Sequence, residues 1–121
     1  MRVLLRCVLF IALMLAIVRP ASADMSQCMN MMGTTVGSLR ECVGHAASMG
    51  YIDTAGVAKS LLAKIDAAQA AVDRGQPQVA IAMLEAFTHE VMAQAGQHID
   101  MQHAEHMRMH AELVIQALSS Q

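Results

Sequence analysis

Gly50, Gly75 and Gly96 each stand just past an apolar stripe of helical spacing, and this punctuation limits the fold more than any other feature of the chain. From Thr34 to Gly50 the stripe is Val36, Leu39, Val43, Ala46 and Ala47. The next begins at Asp53 or Thr54, either of which can cap a helix, and runs through Val57, Ala58, Leu61, Leu62, Ile65, Ala68 and Val72 to Arg74. Pro77 suits the first turn of a third helix, whose apolar face is Ala80, Met83, Leu84, Phe87 and Val91. Asp100 can cap a fourth, with Ala104, Met107, Ala111, Val114, Ile115 and Leu118. No segment alternates with the period of a strand. Short links between amphipathic helices favour antiparallel neighbours. The expectation is therefore an all-α fold: a small up-and-down four-helix bundle in residues 34–121, with helices over about 34–49, 54–74, 77–95 and 100–118.

What precedes residue 34 reads differently. Arg2 and Arg6 precede an apolar run from Val8 to Val18, followed by Ala21-Ser22-Ala23. A basic start, a short apolar core and an A-x-A site form a secretory signal peptide, expected over residues 1–23 with Asp24 as the mature terminus. The apolar run is short for a membrane span and no second one follows. Residues 24–33 (DMSQCMNMMG) then form a Met-rich segment without a clear period.

Signal removal leaves Arg40, Lys59, Lys64, Arg74 and Arg108 against ten Asp and Glu, a net charge of about −5 (five minus ten). With no basic stripe, and with Tyr51 and Phe87 the only aromatics after residue 23, the chain lacks the footprint of a nucleic-acid binder. Two cysteines, Cys28 and Cys42, remain in an exported chain, and in an oxidising compartment they read first as a disulfide. Such a crosslink would contribute about 3 kcal/mol in the chain-entropy account. The alternative is a thiolate pair holding a soft metal.

The candidate chemistry is concentrated in HIDMQHAEHMRMH, residues 98–110. At 100° per residue from Ala104, the apolar stripe of the fourth helix centres near −30°, while His103, His106 and His110 fall near −100°, −160° and −120°. Neighbours at i, i+3 and i, i+4 bring imidazoles within chelating reach, although His103 and His110 lie about 10 Å apart along the axis and cannot easily share one ion. The competing reading is a polar flank hydrogen-bonded to a neighbouring helix. Met107 belongs to the core, where Met fills space that aromatics would otherwise take; Met109 points away from it. In the first helix Cys42, His45 and Met49 form a similar stripe, and packing the two stripes together would give a mixed Cys/His/Met pocket suited to Cu(I) or Ag(I). Together with Met25, Met29 and Met32, the candidate soft-metal ligands are Met101, His103, His106, Met109 and His110, with His45 and Met49 as secondary candidates.

Between Ile52 and Leu118 the chain also resembles a known family. Ser60-Leu61-Leu62-Ala63-Lys64, Ala67/Ala70/Ala71, Asp73-Arg74-Gly75, Ala86-Phe87, Ala93-Gln94-Ala95-Gly96 and Val114-Ile115-Gln116-Ala117-Leu118 are similar to the FIMAH-type helical domain. That domain occurs in secreted subtilisin-like proteases such as bacillopeptidase F and in other exported modular proteins. Small stand-alone exported relatives carry an element like Cys42-Val43-Gly44-His45-Ala46. The resemblance implies a helical accessory or interaction module outside the cytoplasm, and it transfers no catalytic residue. The Met enrichment is not part of the family pattern.

Enzymatic readings find little support. Carboxylate-bridged di-iron bundles need Glu-x-x-His repeats, which are absent, and neither a nucleophile with a base nor a phosphate loop stands out. Two functional expectations remain. One is a non-catalytic exported module that binds an unidentified exported or envelope protein. The other is a periplasmic Cu(I)- or Ag(I)-binding protein that buffers or transfers metal through its Met/His clusters.

Overall fold

A computed structural model describes residues 33–121; the proposed signal peptide, Met25, Met29, Met32 and Cys28 lie outside that range. The described residues form four helices: α1 (Val36–Ser48), α2 (Ala55–Asp73), α3 (Pro77–Gln94) and α4 (Met101–Ser119). Each packs on the next in sequence and α1 closes on α4, over the smallest of the four seams. The all-α bundle expected from the stripes is the observed architecture, and none of its helices is long and apolar enough to cross a membrane.

The helix ends follow from local chemistry. Thr35 opens α1 by accepting a hydrogen bond from the Ser38 amide at 3.1 Å, and Asp100 opens α4 by accepting from the His103 amide at 3.3 Å. At the C-terminus of α1, Gly50 N–H donates to the Ala47 carbonyl and Tyr51 N–H to Ala46; Gly75 and Gln76 repeat this pattern on Val72 and Ala71 after α2. Both are Schellman closures, which require a left-handed residue past the cap. Gly50 and Gly75 supply it at φ +83° and +70°.

The core contains Leu39, Val43, Leu61, Ile65, Leu84, Phe87, Val91, Met107 and Val114, all at most 1 % exposed. Small alanines at 46, 68, 71, 80, 104 and 111 are buried among them and let the helices approach closely. Two loop residues that no periodic pattern marks, Ile52 and Ile99, are buried as well. They face each other in a single antiparallel bridge between the α1–α2 and α3–α4 connections. Around it the Asp100 amide donates to the Tyr51 carbonyl at 2.9 Å and the Asp53 amide to the His98 carbonyl at 3.0 Å. His98 Nδ1 lies 2.9 Å from Asp53 Oδ1 over the same junction.

Two substitutions separate core from backbone contributions. Phe87→Ala, in the most voluminous of the fully buried side chains, is expected to cost about 3–5 kcal/mol in denaturant unfolding. Gly75→Ala meets no atom within 4 Å, so its expected cost of about 1–2 kcal/mol is that of left-handed backbone alone. A Gly75→Ala protein as stable as the parent would show that this closure does not hold the α2 terminus.

Candidate functional site

The three histidines expected on a flank of α4 are all buried: His103 is 6 %, His106 9 % and His110 0 % exposed. The flank is wider than the apolar stripe because α1 covers it. The two helices run antiparallel there, since Ser38 meets His110 near the start of α1 while Tyr51, beyond its end, meets His103 near the start of α4.

These histidines have different environments. His103 is committed. Its Nδ1 lies 2.8 Å from Asp100 Oδ2, and its ring stacks on Tyr51 with centroids 3.6 Å apart and planes inclined by 16°. The hydrogen bond from the His103 side chain, ahead of the other influences, holds the Asp100 carboxyl below the usual carboxylate range.

His106 and His110 share the seam with Cys42. One ligand-capable atom from each of Cys42, His106 and His110 lies within 4.8 Å of the other two. The two rings meet edge to face, with centroids 6.5 Å apart and planes at 69°. His106 Nε2 and His110 Nδ1 are buried and have no hydrogen-bond partner. Cys42 is fully buried and already has a partner of its own.

Ser38 fixes how His110 carries its proton. Ser38 Oγ donates to the Thr35 carbonyl at 2.7 Å, which uses the only proton a hydroxyl has. Its 3.0 Å contact with His110 Nε2 must therefore run the other way, with Nε2–H donating to the hydroxyl oxygen. In neutral His110 the lone pair then resides on Nδ1. Burial, first, and the neighbouring His106, second, push the His110 pKa below the ordinary histidine value, against a smaller opposing effect of the Gly33 backbone. Neutral imidazole with a free Nδ1 lone pair is its state near neutral pH.

The remaining candidates are scattered. Met101, Met109 and Met49 are exposed by 58 %, 39 % and 42 %. His45 Nε2 is buried without a partner, but His45 is outside the Cys42 group. Of the α1 stripe, Cys42 is brought to His106 and His110, while Met49 is exposed. Sequence reasoning missed Tyr51 and Ser38. Ser38 could have been found, because it lies four residues before Cys42 and extends the same stripe; Tyr51 is in a loop and carries no such signal.

A separate groove of about 840 Å³ opens between α1 and α2. Its floor includes Ala47, Ile52, Ala58 and Leu62, with Lys59 on the rim. Arg40 and Asp66 pair across one end at 2.7 Å.

The charge state of His110 has a consequence for stability. A histidine pKa that is lower in the folded than in the unfolded chain favours folding when the ring is neutral. That contribution is complete above the unfolded value of about 6.5 and is lost as the pH falls through the depressed folded value. Unfolding titrations from about pH 7.5 to about pH 5 should show the parent losing more stability than His110→Gln. Parallel pH profiles would contradict the assignment.

No curated protein and no solved structure matches the chain. One family does: the FIMAH domain matches over residues 36–116, from the first residue of α1 into the last turn of α4. The match spans well over half of the 121 residues and reaches all four helices. The chain belongs to the FIMAH domain family.

Proposed function

We propose that this protein is a non-catalytic helical module that acts outside the cytoplasm by binding another exported or envelope protein. The observation that carries this reading is the family match across all four helices. Residues 1–23 support export through their signal-peptide pattern. The acidic balance after residue 23 and the lack of a basic stripe speak against nucleic acid as the partner. The reading includes a disulfide between Cys28 and Cys42, supported by Cys42 being engaged. Tying the Met-rich segment to α1 would help a bundle whose small, alanine-rich core leaves little stability in reserve.

The test is site-specific photo-crosslinking of the full chain in cells that export it, with the probe placed in turn at Lys59, Met92, Met109 and Glu112. These positions sample the α1–α2 groove and the outer surfaces of α3 and α4. The expected result is a discrete adduct with one exported protein from one face, on a chain whose N-terminus is Asp24. A chain that stays in the cytoplasm, or that yields no adduct from any position, overturns the proposal.

A further inference from the structure

The seam between α1 and α4 leaves two ring nitrogens buried and unused, His106 Nε2 and His110 Nδ1, on rings that each bring one nitrogen within 4.8 Å of the other and of Cys42. We propose that these two nitrogens together hold one soft monovalent cation, Cu(I) or Ag(I), a site independent of the partner-binding reading above.

The ring separation suits such an ion. Histidines at i and i+4 share one helix face. Metal–imidazole bonds are about 2 Å long, so two rings on one ion place their centroids about 6 Å apart. The centroids of His106 and His110 are 6.5 Å apart before any adjustment. The protonation pattern suits it too. A ligating histidine needs a lone pair on one nitrogen and a fixed partner for the other. Ser38 provides this for His110, since its hydroxyl is already spent on the Thr35 carbonyl and can only accept from Nε2–H.

Charge and ligand number select the class of ion. No carboxylate joins the group, so a divalent ion would bring uncompensated charge into a seam walled by apolar side chains. Structural zinc also takes four ligands. A monovalent d10 ion can be satisfied by two neutral imidazoles, and the Cys42 sulfur beside them is a polarisable neighbour whatever its own bond. His110 is sealed, whereas His106 keeps 9 % of its surface in contact with solvent, with its Nε2 itself buried.

The buried nitrogens could instead be bridged by water, and the experiment separates these cases. The full-length exported chain is titrated with Ag(I) without reductant, so that the state of Cys42 is left undisturbed. Long-range proton–nitrogen NMR spectra of the imidazole rings are recorded alongside competition against a chelator. One equivalent of Ag(I) is expected to shift His106 Nε2 and His110 Nδ1 ahead of His45, His89, His98 and His103. His106→Gln and His110→Gln should each weaken Ag(I) by more than the 10- to 100-fold typical of losing a group behind a ligand. Ser38→Ala keeps both ligands, so it should redistribute the His110 tautomer and weaken the ion while circular dichroism remains that of the parent. A Met101→Leu/Met109→Leu chain should bind as the parent does. Unshifted His106 and His110 nitrogens in the parent protein, or Ag(I) affinity that survives His106→Gln and falls with the two methionines, overturns the site. The first of these readings needs no variant to fold.

Discussion

Two backbone hydrogen bonds between loops set the geometry on which the rest of this bundle depends. The Asp100 amide on the Tyr51 carbonyl and the Asp53 amide on the His98 carbonyl join the α1–α2 connection to the α3–α4 connection. Ile52 and Ile99 are buried between them. Buried backbone polar groups must be paired, so this junction has few alternative arrangements. It fixes where α4 starts relative to the end of α1, and hence which flank of α4 meets α1. Tyr51 is thereby placed over the His103 ring, and Asp100 serves at once as helix cap, His103 partner and loop anchor.

The polar content of the α1–α4 seam is costly for so small a protein. A buried nitrogen without a partner costs about 1–3 kcal/mol, against a total stability of about 5–15 kcal/mol for ordinary domains. The other seams are more conventional. Between α2 and α3 the polar cluster is complete, with Lys64 2.5 Å from Glu90 and the Ser60 hydroxyl donating to the same carboxylate. Arg40 and Asp66 likewise pair between α1 and α2, whereas the α1–α4 seam keeps two buried ring nitrogens without a partner. His110 is held as a neutral ring by burial, so the seam avoids a buried charge while leaving a lone pair directed inward.

Much of the fold is legible in the sequence. Val36, Leu39, Val43, Leu61, Ile65, Leu84, Phe87, Val91, Met107 and Val114 are core residues as their spacing required. The glycines and Asp100 mark helix ends for stereochemical reasons that need no tertiary context. Ile52 and Ile99 were not legible, because single apolar residues in loops have no period to reveal them. Of the candidate metal ligands, the sequence placed His103, His106 and His110 along one flank but could not tell them apart. Their separation into a stacked, carboxylate-paired ring and two unpartnered ones depends on Tyr51, Asp100 and Ser38, which come from a loop, a helix cap and another helix.

By itself, the sequence determined four helices, their ends and their apolar faces, since all three are set by propensity, capping and periodicity within about twenty residues. It also determined family membership, because the FIMAH match over residues 36–116 is a match of sequence. Only the tertiary structure decided that α1 covers the histidine flank of α4 and that Cys42 lies beside His106 and His110. Helical periodicity gives the angle of a side chain around its own axis. Which neighbour waits at that angle is set by the packing of the loops that join the helices.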